Sequence, residues 1–410
     1  MSTAPRSPML SLEEALARLL AAATPISGTE DLPTAQALGR VLARDLISPL
    51  DVPPLANTSM DGYAVRAADV PVAGTVLPVS QRIAAGQVGA VLQPGTAVRI
   101  FTGAPLPAGA DAVVMQEQCE AVEGGVRIQT VPVPGQSVRQ RGEDLREGAV
   151  ALARGCRLTP QALGLAATAG AASLAVVRRP RVALMSTGDE LVMPGEPLRP
   201  GAIYNANRDT LKGLLAQFGC ECTDLGIVPD RLETTRAVLR EAARGHDLIL
   251  SSGGVSVGEE DHIRPAVSAE GQLDLWQIAI KPGKPLAFGH VRRDGGGEAA
   301  FIGLPGNPVS SFITFLLLAR PFLLALQGAD PAAPQGVWLE AGFDWPKPDR
   351  RREFLRVRYG EDGRLALFPN QSSGVLTSAV WADGVADVPP GQAIARGDRV
   401  RFVSFAEWMQ

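Results

Sequence analysis

The sequence predicts a multidomain fold of α/β and β parts, with a doubly wound α/β domain at its centre. Three observations predict it. Strand and helix patterns alternate from residue 181 to about 327, the signature of a mostly parallel sheet with helices on both faces. Short β-rich runs broken by Gly and Pro occupy 63–150, between segments of helical periodicity. After a Pro/Ala-rich linker at 328–336, β-type runs return. With 410 residues, 46% hydrophobic and 20% charged, the chain has apolar material for more than one packed core.

In chain order, Ser11 and Glu14 form a capping-box pattern that opens a helix over 12–23. A second helix is expected over 34–43, where apolar residues again recur at helical spacing. The β module follows, with strand-like runs at 97–101, 112–115 and 126–131. Thr159 as N-cap and Pro160 at the first helical position then open a helix to 169. The module therefore reads as an insertion between helical pieces. In the α/β region, strands are expected at 182–186, 223–228, 247–251, 286–290 and 299–304, and helices at 209–218, 232–243 and from about 309. Runs at 354–359, 365–368 and 399–405 read as a compact C-terminal barrel or sandwich.

Composition narrows the function. The longest apolar stretch, 312–326, is interrupted by Thr314, Arg320 and Pro321. It falls short of the roughly 20 apolar residues of a bilayer span, so no membrane segment is expected. No continuous apolar run precedes Ser11, and the expected compartment is the cytoplasm. Cys119, Cys156, Cys220 and Cys222 are scattered, with a C-x-C pair in place of C-x-x-C, and read as reduced structural thiols. Three histidines, His246, His262 and His290, argue against a histidine-rich metal centre or a Ser-His-Asp triad. A net charge of -4 lacks the basic footprint of nucleic-acid binding. Any anion site must be local.

The chemistry is read from the loops that follow the α/β strands, since ligands of such sheets lie at the carboxyl ends of the strands. These loops are Thr187-Gly188-Asp189-Glu190, Ser252-Gly253-Gly254-Val255-Ser256-Val257-Gly258 and Pro305-Gly306-Asn307-Pro308. In the middle one, adjacent glycines permit positive φ and turn backbone N–H groups toward one centre, while Ser252 and Ser256 add hydroxyls. The pattern fits an oxyanion or phosphate, and equally a tight strand-to-helix turn. Glu259-Glu260-Asp261 follows, and carboxylates beside a phosphate cradle call for a cation, which makes Asp261 a candidate Mg²⁺ ligand. An ordinary acidic first helical turn is the other reading. Asn307 and Pro308 suit a helix start, with Ser310 and Ser311 as further donors.

Lysine usage singles out a further loop. Lys and Arg together number 39, yet only Lys212, Lys281, Lys284 and Lys347 are lysines. Two of them fall in Lys281-Pro282-Gly283-Lys284-Pro285, where a compact ammonium suits a small tetrahedral dianion. A solvated basic loop is the plain alternative. The junctions of the β module, Asn57-Thr58-Ser59-Met60-Asp61-Gly62-Tyr63-Ala64 and Arg139-Gln140-Arg141-Gly142-Glu143-Asp144, are polar and charged, as a hinge or a charged ligand site would be. Arg350-Arg351-Arg352 places guanidinium groups at a strand start.

Seven of these segments, in order along the chain, resemble the molybdopterin molybdenumtransferase family, which includes the E domain of gephyrin. They are Ser59-Met60-Asp61-Gly62-Tyr63-Ala64, Arg99-Ile100-Phe101-Thr102-Gly103-Ala104-Pro105-Leu106-Pro107, Arg141-Gly142-Glu143-Asp144, Ser186-Thr187-Gly188-Asp189-Glu190-Leu191, the Ser251 to Gly258 loop, the Lys281 to Pro285 loop and Leu304-Pro305-Gly306-Asn307-Pro308-Val309-Ser310. The resemblance implies four domains: a helical, partly discontinuous one from 1–60 and 146–180, an inserted β domain at 61–145, an α/β molybdopterin-binding domain at 181–327, and a C-terminal β-barrel at 337–410. It implies a homodimer whose active cleft lies between subunits, and contacts with other enzymes of molybdenum cofactor synthesis. The implied reaction inserts molybdate into adenylyl-molybdopterin, with Mg²⁺ as cofactor and AMP released.

Carried over residue by residue, Ser256, Lys281, Lys284, Ser310 and Arg351 resemble the family's molybdate pocket. Asp61, Thr102, Asp144, Glu190, Asp230 and Asp261 resemble its functional cleft residues, with Asp261 and then Glu190 as the expected Mg²⁺ ligands. Ser252, Gly253, Gly254, Pro305, Asn307 and Pro308 are expected to hold the pterin nucleotide. The sequence departs from the pattern at Gln277, where some members carry a basic residue. Two other functions are conceivable on this fold. An adenylyltransferase that makes the pterin nucleotide usually has Thr-Gly after the Gly-Gly pair and lacks the β modules. A non-enzymatic scaffold would tolerate loss of the charged loops.

Overall fold

The computed structural model describes residues 9–254 and 262–409. Its central sheet has six strands in the spatial order Glu221–Val228, Arg181–Thr187, Leu248–Ser252, Glu298–Leu304, Pro285–Arg292 and Gly271–Gln277. The first four run parallel, and Pro285–Arg292 runs antiparallel to both of its neighbours, Glu298–Leu304 and Gly271–Gln277. Leu248–Ser252 is buried throughout and Arg181–Thr187 beyond its first residue, as central strands covered on both faces must be. The pleat divides their side chains between two cores. Val182, Leu184 and Leu250 meet Leu211, Leu215 and Phe218 of the helix Ala206–Gln217. Ala183, Met185 and Ile249 meet Leu239 and Ala242 of the helix Leu232–Gly245 on the other face.

The helix Pro308–Leu326 is long and apolar enough to cross a membrane by length and composition, but 94% of that stretch is buried in the fold. It widens into a π-helical stretch at Phe315–Ala319, just before Pro321, which has no N–H to give the helical ladder.

The N-terminal part differs from expectation in two ways. The capped helix Leu12–Ala22 forms, with both bonds of the Ser11–Glu14 capping box. However, it buries Ala15 and Leu19 in the α/β core rather than in a helical domain of its own. The second expected helix, over 34–43, is absent: only Thr34–Gln36 forms a single 3₁₀ turn. Tertiary partners claim its polar groups. The Thr34 hydroxyl donates to the Ala171 carbonyl, Leu42 N–H to the Cys156 carbonyl, and the buried Arg40 guanidinium to Glu30 and the Val177 carbonyl. Gly39 meanwhile takes φ +73°, outside any helix. This region is built instead from antiparallel ribbons, Thr29–Pro33 with Ser173–Val177 and Leu46–Ile47 with Val150–Leu152, beside the helix Pro160–Thr168. Its core joins Ala37 and Leu42 to Leu158, Ala166 and Val176, from either side of the insertion.

The inserted β module contains a four-stranded and a three-stranded sheet. Its entry and exit pair with each other, Asn57 with Arg139 and Thr58 with Val138. The C-terminal sheet runs through Arg352–Tyr359, Gly384–Val388, Arg399–Ser404 and Val337–Glu340. An Ala341–Leu365 bridge closes it, since Leu365–Leu367 pairs back onto Arg352–Tyr359, giving a barrel around Leu355, Val357, Ala386 and Phe402. A short strand of the α/β region, Ile280–Lys281, adds to this sheet alongside Arg352 and Glu353.

Candidate active site

At the carboxyl ends of the parallel strands lies a cleft of about 570 Å³. Its floor is the turn after Leu248–Ser252, where Gly253 and Gly254 have φ +88° and +68°. A Cβ on Gly253 would stand 2.7 Å from the Thr187 carbonyl oxygen, and one on Gly254 would stand 2.5 Å from Ile263 Cγ1. Only glycine permits this close approach of neighbouring loops. Pro305, Asn307, Pro308 and Ser310 form a second wall, and Glu190 and Asp230 reach the cleft from two further loops. Asn307 occupies the N-cap position, but its side chain makes no capping bond and is exposed at the cleft. Helix initiation alone therefore does not account for it.

Asn205 and Asn207, which the loop motifs did not single out, complete the cleft. Asn205 caps Ala206–Gln217 by accepting from Arg208 N–H. Asn207 Nδ2 donates to Ser252 Oγ at 2.8 Å and to the Gly306 carbonyl at 2.7 Å. The Asn-Ala-Asn spacing before a helical run was the signal available for both. Thr187 Oγ1 and Asn205 Nδ2 are buried in the cleft wall without hydrogen-bond partners among the described residues.

The Lys281-Pro282-Gly283-Lys284-Pro285 loop runs from the barrel edge to this cleft. Pro285 lines the cleft, and Gly283 lies so close to the helix carrying Ser310 that a Cβ would meet Thr314 Oγ1 at 2.3 Å. Lys281 Nζ is paired with Glu353 at 2.9 Å and Asp349 at 3.5 Å, and Arg351 with Asp349 at 2.8 Å. The cations thus arrive with carboxylate partners that no sequence motif announced. Lys284 has no side-chain ion pair or hydrogen bond among the described residues and is half-buried. Of the three consecutive arginines, Arg351 lies with Lys281, also reaching the Ile280 carbonyl, whereas Arg352 turns away to Asp387 and Glu13. The Arg351 hydrogen bonds hold Asp349 well below the usual carboxylate range.

Asp61, Thr102 and Asp144 lie apart from this cleft, in and beside the β module. Asp61 accepts from both the N–H and the hydroxyl of Thr102, at 2.8 and 2.7 Å, and these bonds hold its carboxyl below the usual range. Asp144 is exposed. Arg99 lies over the rings of Tyr63 and Phe101 beside them. Ser256 and Asp261 lie outside the described residues. No group of three or more His, Cys, Asp or Glu is set to hold a metal among the described residues.

Comparisons agree with this architecture along the whole chain. Residues 10–170 match the model of the MoeA N-terminal region (domain I and II), 183–325 that of a probable molybdopterin binding domain, and 339–405 that of the MoeA C-terminal region (domain IV). The molybdopterin molybdenumtransferase of Haemophilus influenzae is 42% identical over 91% of this chain and 92% of its own. That of Synechococcus elongatus is 37% identical over 94% and 96%. The crystal structure of the molybdopterin biosynthesis MoeA protein from Pyrococcus horikoshii OT3 superposes with a TM-score of 0.80 at 29% identity, covering 97% of this chain and 100% of that one.

Proposed function

Because the chain belongs to the MoeA family of molybdopterin molybdenumtransferases, we propose that its cleft completes molybdenum cofactor synthesis, inserting molybdate into adenylyl-molybdopterin with release of AMP. The observation that carries this reading is the placement of the Lys281 to Pro285 loop. It joins a cluster of ammonium and guanidinium groups to a glycine-lined cleft at the strand ends, so an oxyanion and a nucleotide would bind side by side.

In this reading Ser252, Gly253, Gly254, Pro305, Asn307 and Pro308 hold the pterin nucleotide, their backbone groups facing its phosphates. Lys281, Lys284, Ser310 and Arg351, with Ser256, receive molybdate. Glu190 enters the cleft, and an octahedral Mg²⁺ is commonly held by one or two carboxylates plus substrate phosphates, so a carboxylate at this place fits that ion. Glu190 and Asp261 are the proposed ligands. When bound, Mg²⁺ supplies charge neutralisation at the phosphoanhydride, which favours departure of AMP. Asp61, Thr102 and Asp144 complete the cleft of a neighbouring subunit in a homodimer. Work in the cytoplasm beside the other enzymes of cofactor synthesis accords with four free cysteines.

The test supplies purified protein with adenylyl-molybdopterin, molybdate and Mg²⁺ and follows AMP and molybdenum cofactor together. Both should appear in equal amounts and depend on molybdate. Formation of adenylylated product from molybdopterin and MgATP, with no molybdate present, would overturn the reading in favour of an adenylyltransferase.

A further inference from the structure

We infer that Glu353 is a positioning residue for the oxyanion site, its carboxylate fixing the Lys281 ammonium and, through Asp349, the Arg351 guanidinium. This rests on the reading of Lys281 and Arg351 as anion-binding groups. Glu353 is 1% exposed and accepts from Lys281 Nζ at 2.9 Å, Trp345 Nε1 at 2.9 Å and the Asp349 N–H at 3.0 Å. Lys281 is also its register partner in the sheet, so the lysine is held at both ends. Asp349, set by its N–H on Glu353, in turn accepts from Arg351 Nε, Nη2 and backbone N. One buried carboxylate therefore orients cations from two domains.

A buried carboxylate is costly unless paired and fully hydrogen-bonded, and Lys281 is its one cationic partner among the described residues. A barrel that needed only packing here would hold an apolar side chain at no such cost. What the carboxylate adds is a fixed ammonium. A free lysine would lose rotamer freedom each time an anion bound, whereas this one has lost it on folding. Lys281 and Arg351 face Asp349 and Glu353, two cations against two carboxylates, and Lys284, three residues on in the same loop and without an ion pair among the described residues, leaves the loop net positive toward an anion.

The test is molybdate-dependent cofactor formation by full-length E353Q, K281Q and the double variant, with melting temperatures recorded in parallel. E353Q keeps the side chain's size and should raise the molybdate KM about tenfold, as loss of an orienting partner does at ligand sites, with kcat at saturating molybdate within about twofold. In the K281Q background it should add no more than about threefold, because one of the two cations it acts through is gone while Arg351, held through Asp349, remains. If the two effects multiply, or if K281Q raises KM while E353Q does not, Glu353 does not act through Lys281 and the inference is overturned. If K281Q itself leaves the molybdate KM unchanged, the anion-site reading fails instead. Should E353Q not fold, W345F removes one donor to the carboxylate and keeps the ion pair. It should raise KM by a smaller factor, and an unchanged value counts against the inference.

Discussion

Asn207 ties together the two glycine loops of the cleft, donating one amide hydrogen to Ser252 Oγ at 2.8 Å and the other to the Gly306 carbonyl at 2.7 Å. The residue is buried, so its loss leaves polar groups that water reaches poorly. Asn207→Ala should cost about 1–3 kcal/mol of stability. It should also raise the KM for adenylyl-molybdopterin about tenfold, since both loops proposed to hold the nucleotide lose their common anchor. Urea unfolding and steady-state kinetics at saturating molybdate check the two effects separately. An unchanged nucleotide KM would show that the loops hold their shape without it.

Gly253 is expected to be irreplaceable for two physical reasons, its φ of +88° and the 2.7 Å approach of a would-be Cβ to the Thr187 carbonyl oxygen. Gly253→Ala should lose about 1–3 kcal/mol and most of the activity. Gly164 provides the control of opposite sign. It lies in the helix Pro160–Thr168, where a Cβ would enter open space with nothing within 4 Å, so Gly164→Ala should gain about 0.4–1 kcal/mol and leave kinetics unaltered. Thermal melts of the two variants should move in opposite directions.

The pH dependence of stability follows from Asp349. The Arg351 hydrogen bonds depress its pKa in the folded protein. A depressed carboxylate contributes stability that is complete above its unfolded value, about 4. That stability shrinks as pH falls further and is lost once pH passes through the folded value. Asp349→Asn cannot ionise. Its stability deficit, about 0.5–2 kcal/mol, should therefore be constant from pH 8 to 5 and narrow below about pH 4. A deficit that grows on acidification would contradict the assignment.

How far the sequence reached depended on the range of the interactions involved. The strands Arg181–Thr187 and Leu248–Ser252 were legible because a central parallel strand must be apolar on both faces, a property of the segment itself. Gly253 and Gly254 were legible because a strand-to-helix turn announces itself locally. The expected helix at 34–43 failed because Thr34, Arg40 and Leu42 bond to residues beyond 155 or to Glu30, and those partners outweigh local periodicity. The Lys281–Glu353 pair was invisible for a related reason. The two residues lie 72 positions apart, in different domains, and meet only because Ile280–Lys281 joins the barrel sheet. Lysine scarcity pointed to Lys281, but nothing in its neighbourhood of the chain pointed to its carboxylate.

The separation of Asp61 and Thr102 from the glycine cleft within one chain leads to the last prediction. If each active cleft takes Lys284 from one subunit and Asp61 from the other, variants defective in either residue should complement each other. Asp61→Asn and Lys284→Ala homodimers should each be nearly inactive. When equal amounts are unfolded together and refolded, half the dimers are mixed, and each mixed dimer contains one cleft with both defects and one with neither. Activity should then recover to roughly a quarter of the unmodified enzyme. The readout is cofactor formation after mixing, with the unmixed variants refolded in parallel. No recovery would mean that Asp61 and Lys284 serve the same cleft from the same chain, and the β module would then have to reach its own α/β domain.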